Sequence, residues 1–201
     1  MHPYSIDTEE RKNVLLFLAL MSILLAWGFS NVLEYYQIHL SWWIESPSVL
    51  FFYGAVFLIF DRFVWKPLAK MQVIKTPNLN GEWHGNLKSS RDGHTKEIKV
   101  TLKIFQTWTD IKILLISDSN VSQSESAAVI SGEPEGKYLN YQYVVEPKPN
   151  SVKDISIHRG TARLFFEEKN MLEGDYYTGR GSQNFGSLRF AKGSKKQKSQ
   201  V

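Results

Sequence analysis

The apolar residues of this chain change period near residue 66, and that change limits what it can fold into. Before it lie two long, nearly uninterrupted apolar runs. After it, apolar residues recur at every second position, run after run, with turn residues between the runs. Unbroken apolar runs of this length belong to membrane helices, and a period of two belongs to half-buried strands. The chain is therefore expected to join a helical hairpin to an all-β domain, a plan suited to sensing something in solution and acting at a membrane.

The segment from Asn13 to Leu33 carries no charged residue and is followed by Glu34. Crossing roughly 30 Å of hydrocarbon takes about 20 helical residues, so this run is long enough. The second run, Pro47 to Phe60, becomes adequate if Trp65 marks the interface, with Asp61 and Arg62 at headgroup level. Trp42, Trp43 and Trp65 would then form an aromatic belt. The acidic leading segment, the length of the first run and the lack of an A-x-A site point to a signal anchor rather than a cleaved signal peptide. Arg11 and Lys12 precede the first run, segment 34–46 has no Lys or Arg, and Arg62, Lys66, Lys70 and Lys75 come after the second. The positive-inside rule places both termini and the β-domain in the cytoplasm. The resulting divisions are 1–12 (flank), 13–33 and 47–65 (transmembrane helices), 34–46 (outer loop), 66–80 (basic linker), 81–191 (β-domain) and 192–201 (a basic tail without periodicity, expected to be disordered). Ser22, Ala26 and Ser30 recur every four residues, with Gly28 nearby. Such a stripe of small residues suits close helix packing, either within the hairpin or between copies of the chain.

The β-domain carries eight strand signals: Gly81–Ser90, Lys96–Gln106, Asp110–Ser117, a weaker Gln123–Ser131, Lys137–Val145, Ile155–Glu167, Met171–Thr178 and Phe185–Phe190. On the second, Ile98, Val100, Leu102 and Ile104 alternate with Lys99, Thr101 and Lys103. Eight strands joined by short turns are best accommodated by an up-and-down antiparallel barrel, which leaves no open edge. A β-sandwich is the alternative. The opening Gly81-Glu82-Trp83 resembles the G-x-W of lipocalin-type barrels. There the Trp plugs one end and stacks on an Arg of the last strand, for which Arg189 is the candidate.

Composition removes several classes of function. The chain has no Cys, so disulfides, thiolate catalysis and Cys-based zinc sites are excluded. Its five His form no HxH or HxxxH pair. There is no P-loop, G-x-S-x-G or H-E-x-x-H. Glu167 and Glu168 are adjacent in a strand pattern and would face opposite sides, so they cannot act as one acid/base pair. No catalytic residue, metal or cofactor is expected. From residue 66 onward there are 21 Lys and Arg against 14 Asp and Glu, whereas the preceding part has 3 against 6. The basic surplus of the β-domain favours anionic partners.

Taken whole, the chain resembles the two-transmembrane β-barrel effectors of bacterial CBASS anti-phage systems, the CD-NTase-associated, SMODS-associating, β-strand-rich family. The likeness rests on two N-terminal membrane helices, a short basic linker, and a barrel that opens with GEWHG and ends near GDYYTGRGSQNFGSLRF. It implies that the barrel binds a cyclic oligonucleotide made by a partner nucleotidyltransferase, with no DNA or RNA polymer as partner. It further implies self-association on binding, contact with membrane lipid, disruption of the cell inner membrane and abortive-infection death, with segment 34–46 as a periplasmic loop. A membrane-tethered barrel for a lipid or other apolar ligand is the rival, and a solid interaction module a third reading. A cyclic dinucleotide needs cations for phosphates and aromatic faces for bases. Strand parity nominates Tyr141 and Tyr143 on one strand, and Tyr176, Thr178 and Arg180 on another. Arg163 and His158 are further candidates from a strand whose inward face is ambiguous. Tyrosines at such positions are more often core, and Arg159 and Arg163 read more readily as a solvated outer face.

Overall fold

In the computed structural model, residues 1–38, 48–132, 136–147, 157–166, 170–179 and 183–193 are described. They form two compact units. One comprises residues 8–77, the other residues 1–7 together with 78 onward.

The helical unit opens with α1 (Glu10–Tyr35), followed by α2 (Ser48–Ile59), a π-helical turn over Phe60–Val64, and α3 (Trp65–Lys70). α1 is long and apolar enough to cross a membrane. It packs on α2, with the Phe29 and Phe52 rings edge-on at 5.7 Å. Its buried residues are Leu18, Ser22 and Ala26, a stripe at intervals of four, and Ser22 Oγ donates to the Leu18 carbonyl at 2.6 Å. Ser22 and Ala26 are therefore enclosed and Gly28 is half-buried, whereas Ser30 stays exposed along with Leu16, Phe17, Leu20, Leu24 and Trp27. An apolar surface of this kind is suited to lipid. Trp65 and Asp61, the residues expected at a membrane interface, are both buried within the protein. The π turn adds a residue per turn and rotates α3 by about a quarter of a circle relative to an unbroken helix. The Glu10 carboxylate accepts from the Lys75 and Thr76 backbone N–H groups and the Thr76 hydroxyl, at 2.6 to 3.1 Å, clasping the two ends of the hairpin. Trp42, Trp43 and Pro47 lie outside the described residues.

The β unit is a closed barrel. Its eight main strands are β3 (Gly81–Ser89), β4 (Ile98–Gln106), β5 (Asp110–Ile116), β6 (Asn120–Ile130), β7 (Tyr138–Pro147), β8 (His158–Phe165), β9 (Met171–Thr178) and β10 (Phe185–Lys192). Each pairs antiparallel with its neighbour in sequence, and β10 returns to β3. The alternation on β4 has the physical consequence expected of it. Val100, Leu102 and Ile104 are buried, while Lys103 points outward and pairs with Glu82 at 3.5 Å. Strand β6 begins three residues earlier than its sequence suggested. Ser117 and Asn120 bond each other through side chain and backbone, so the Ser/Asn-rich stretch makes a tight turn rather than a loop.

The closure has a local irregularity. β5 and β6 pair only over Leu114–Ile116 and Val121–Gln123. At Glu125 a bulge shifts β6 by one residue, so Ser122 and Ser124 point inward before it and Ala127 and Val129 after it. Bulges bend the strand that carries them, and here β6 leaves β5. Residues preceding α1 fill the gap. β1 (His2–Pro3) pairs antiparallel with β5, and β2 (Ser5–Ile6) pairs parallel with β6. Tyr4 between them is 3% exposed and belongs to the barrel core. Its hydroxyl accepts from Gln106 Nε2 at 3.0 Å, while Gln106 Oε1 accepts from the Leu79 N–H at 2.9 Å. One glutamine thus holds both stretches of chain that lead to the helical unit. The Asp7 carboxylate then accepts from the Ser131 and Gly132 N–H groups at 2.9 and 2.6 Å.

Candidate functional site

The barrel is filled at one end and hollow at the other. The filled end packs Leu79, Trp83, Ile104, Ile111, Val129, Leu139, Leu164, Leu172 and Phe190. Trp83 is 2% exposed, and its indole N–H donates to the Leu79 carbonyl at 3.1 Å. Its cation is Lys192, 4.9 Å from the ring centroid, not Arg189. Register explains the correction. Lys192 stands directly opposite Trp83, while Arg189 is opposite Asn86, between the inward Leu188 and Phe190. Arg189 therefore points to solvent and lies 3.4 Å from Glu173. Burial holds the Lys192 ammonium below its ordinary pKa.

The open end holds a cavity of about 450 Å³. Its floor is formed by inward residues of the strands, including Val100, Tyr141, Tyr143, Tyr176 and Leu188. Its rim comes from the β3–β4 connection (Ser89, Arg91, Asp92, Lys96), the β5–β6 turn (Ser117, Ser119, Asn120), His158 at the start of β8, and Thr178 and Asn184 flanking the β9–β10 turn. Parity brings the tyrosines there. Leu139, Tyr141, Tyr143 and Val145 occupy the buried face of β7, and Leu172, Gly174 and Tyr176 that of β9.

Glycines make the room for two of these rings. Gly160 is the cross-strand partner of Tyr143, and Gly186 that of Tyr176. A Cβ on Gly160 would overlap the Tyr143 ring and hydroxyl, and one on Gly186 the Tyr176 ring and the Lys88 carbonyl. The Tyr141 and Tyr143 rings lie 6.0 Å apart at 51°. Burial pushes the phenols of Tyr141, Tyr143 and Tyr176 above their ordinary pKa of 10.0. The floor therefore presents neutral hydroxyls and aromatic faces.

The rim is built on a 3₁₀ turn, Ser90–Asp92, capped by Ser89, whose hydroxyl accepts from the Arg91 N–H at 3.3 Å. Ser89 is also a hydrogen-bond partner of Tyr176. Gly93 and His94 take φ values of 64° and 62° to return the chain into β4. On the opposite side Thr178 Oγ1 donates to the Asn184 carbonyl and accepts from its N–H, at 3.1 and 2.7 Å.

Of the residues that the sequence nominated, Tyr141, Tyr143, Tyr176, Thr178 and His158 line this cavity. Arg163 does not. It is exposed on the outside of β8, 4.7 Å over the Tyr138 ring, because the inward positions of β8 are Ala162 and Leu164. Arg159 is outward too, bonded to Glu125 at 3.0 Å. Arg180 lies outside the described residues. Sequence reasoning missed Arg91, which falls between the first two strand signals, and Lys96, which was placed at the start of the second. Knowing which end of the barrel stays open is what would have distinguished them from other loop cations. Leu87, Ile98, Val100, Leu115, Val145 and Leu188 give the cavity an apolar wall such as a lipid-binding barrel has, but Arg91 and Lys96 converge on it with three tyrosines, which such a barrel does not need. The hollow mouth is unlike a solid interaction module.

These features define a membrane-anchored receptor barrel, closed at one end and open to a small ligand at the other. Residues 74–192 match a family model described as "Cap15, cyclic dinucleotide receptor domain", and residues 12–66 match "Cap15, TM helices". Two similar curated relatives are both named CD-NTase-associated protein 15. One, from Yersinia aleksiciae, is 29% identical over 86% of this chain and 84% of its own length. The other, from Staphylococcus schleiferi, is 35% identical over 66% and 70%. The chain belongs to the Cap15 family of CBASS effectors, which combine membrane helices with a cyclic dinucleotide receptor barrel.

Proposed function

We propose that the open mouth of the barrel is where the cyclic dinucleotide binds, and that binding drives self-association of the chain and disruption of the inner membrane, ending in death of the infected cell. The supporting observation is the cavity of about 450 Å³, with tyrosines on its floor and Arg91 and Lys96 on its rim. Its volume falls within the range of roughly 300–1,000 Å³ usual for small-molecule sites. Arg91 and Lys96 supply charge to the phosphates. Tyr143 and Tyr176 supply flat faces for bases, and the serines and Asn120 supply polar partners for base edges and ribose. His158 and Thr178 stand beside them. The barrel acts as a receptor and catalyses nothing.

The membrane helices cross the bilayer twice, with both termini and the barrel in the cytoplasm, where the messenger is made. Ligand binding can favour assembly only by binding the assembled form more tightly. Full-length protein in dye-loaded vesicles tests this. Leakage and a rise in oligomer mass are expected on adding a cyclic dinucleotide, and both are expected to fall sharply in the double variant Arg91→Ala/Lys96→Ala. Leakage independent of ligand, or equal in the double variant, would refute the reading.

A further inference from the structure

We propose that the N-terminal arm, His2 to Ile6, is a strap whose hold on the barrel depends on the ligand: a cyclic dinucleotide at the mouth tightens the arm in the β5–β6 seam and so engages a second connection to the membrane helices. The inference rests on the receptor reading above and adds how occupancy is passed on.

Ligand site and arm share two strands. Leu115 on β5, Ser122 on β6 and the turn residues Ser117, Ser119 and Asn120 line the cavity. β5 and β6 pair with each other only at that end, over Leu114–Ile116 and Val121–Gln123. The arm begins just beyond, at Ile113 and Ser124. Ser124 is 7% exposed, and its Oγ accepts from the Ile113 N–H at 3.0 Å and is hydrogen-bonded to His2 Nε2 at 2.7 Å. Farther from the mouth, His2 and Pro3 stand opposite Ile111 and Asp110, and Ser5 and Ile6 opposite Ala128 and Val129. Ser122 and Ser124 are thus successive inward positions of one strand, the first lining the cavity and the second holding the arm. Leu115 and Ile113 are their counterparts on the other strand.

The arm is a two-state element. Docked, it completes the ladder that the bulge in β6 interrupts. Released, it leaves the facing edges of β5 and β6 unpaired, an arrangement that sheets avoid. A ligand that touches both strands and their turn holds the hairpin in the geometry that the arm fits, so it favours the docked state. By linkage, the docked arm raises ligand affinity by the same factor. The chain that follows gives docking its consequence. Asp7 accepts from the Ser131 and Gly132 N–H groups, and α1 starts at Glu10, so only Thr8 and Glu9 lie between. With the arm docked, this stretch and the one through residues 71–78 both tie barrel to helices. With the arm released, only the second does, and a single tie leaves the barrel free to swivel.

Hydrogen exchange on the full chain in nanodiscs tests the coupling. The probes are cyclic di-GMP, cyclic di-AMP and cyclic GMP–AMP, and the tightest binder is carried forward. On binding, amides of Asp110–Ile113 and Ala127–Ile130 should exchange at least about fivefold more slowly, the lower end of usual couplings between sites. Amides that pair Phe165 with Glu173, in the strands across the barrel, should slow less. His2→Ala and Tyr4→Ala loosen the arm without touching the cavity, and both should weaken binding, Tyr4→Ala by about fivefold or more. Leu172→Ala is the control. It removes a buried side chain of the filled end, outside seam and cavity, and should leave affinity unchanged even where its melting temperature falls as far. Seam amides that slow no more than those across the barrel, or that exchange faster, overturn the strap and leave the receptor reading intact. So does a loss of affinity in Leu172→Ala equal to that in Tyr4→Ala. If Tyr4→Ala does not fold, His2→Ala decides, since it removes the bond to Ser124 and no core side chain; unchanged affinity in it overturns the strap. Failure of all three probes to bind overturns both.

Discussion

The cation that faces Trp83 is decided by strand register, and the consequence can be measured. Lys192→Met should destabilise the barrel by roughly 0.5–2 kcal/mol, the value of a partly desolvated cation–π contact. Arg189→Met breaks only an exposed pair with Glu173 and should change stability by less than about 0.5 kcal/mol. Urea unfolding of the two variants separates them, and the reverse order would contradict the register. At Gly160 the added methyl of Gly160→Ala meets the Tyr143 ring. Overpacking of this kind costs about 1–3 kcal/mol, and the displaced ring should also weaken cyclic dinucleotide binding. An alanine variant with unchanged stability and affinity would show that the ring has somewhere else to go. The buried tyrosines predict a pH dependence. Their folded pKa values are raised, so the stability tied to their neutral form is complete below pH 10.0 and is lost as pH rises through that value, where the unfolded phenols ionise first. Lys192, with a lowered folded pKa, opposes this, because its partly desolvated charge is relieved as pH rises toward 10.5. Three phenols against one amine leave a net loss, so the urea midpoint should fall steeply above about pH 10. Replacing Tyr141 and Tyr143 with Phe should flatten that fall.

At the scale of elements, the seam between β5 and β6 is the least self-sufficient part of the barrel. The bulge at Glu125 parts the two strands, and β1 and β2 supply the missing ladder. Tyr4→Ala removes a buried ring and leaves the Gln106 amide without its hydroxyl partner. A loss of roughly 3–5 kcal/mol is expected, as for other large-to-small core changes. Hydrogen exchange should locate the damage. Amides of Asp110–Ile113 and Ala127–Ile130 should lose protection, while those between β8 and β9 keep it. Uniform loss across all strands would mean that the arm supports the whole barrel rather than its seam. The strand boundaries themselves were largely legible. Met171–Thr178 coincides with the sequence reading, and β3 and β5 differ from it by one residue at one end. The two-residue ladders of β1 and β2 were not legible, because His2 to Ile6 is too short for a period to emerge. Only the gap left by β6 makes it a strand.

At the scale of the whole molecule, the absence of cysteine makes topology directly testable. Single cysteines introduced at Ser41, between the helices, and at Asp118, on a barrel turn, should react with an impermeant maleimide from opposite sides of the membrane. Asp118→Cys should label in inside-out vesicles and Ser41→Cys in right-side-out cells. Labelling of both from the same side would overturn the proposed two-pass arrangement. The clasp of Glu10 on Lys75 and Thr76 within the helical unit, and that of Gln106 on Tyr4 and Leu79 within the barrel, each join chain stretches that are far apart in sequence. Neither clasp could be read from composition, because each is a single polar side chain meeting backbone brought close by folding.

The order of the chain, its membrane segments, its eight strands and the inward rows of tyrosine are set by period and charge. Those are local properties, since a strand's alternation or a helix's apolar run is complete within a few residues. Which mouth stays open, which turn cations stand over it, that Lys192 rather than Arg189 meets Trp83, and that Arg163 faces solvent were decided only by the closed barrel. Register across neighbouring strands sets these, and register depends on pairing between residues that the sequence keeps far apart.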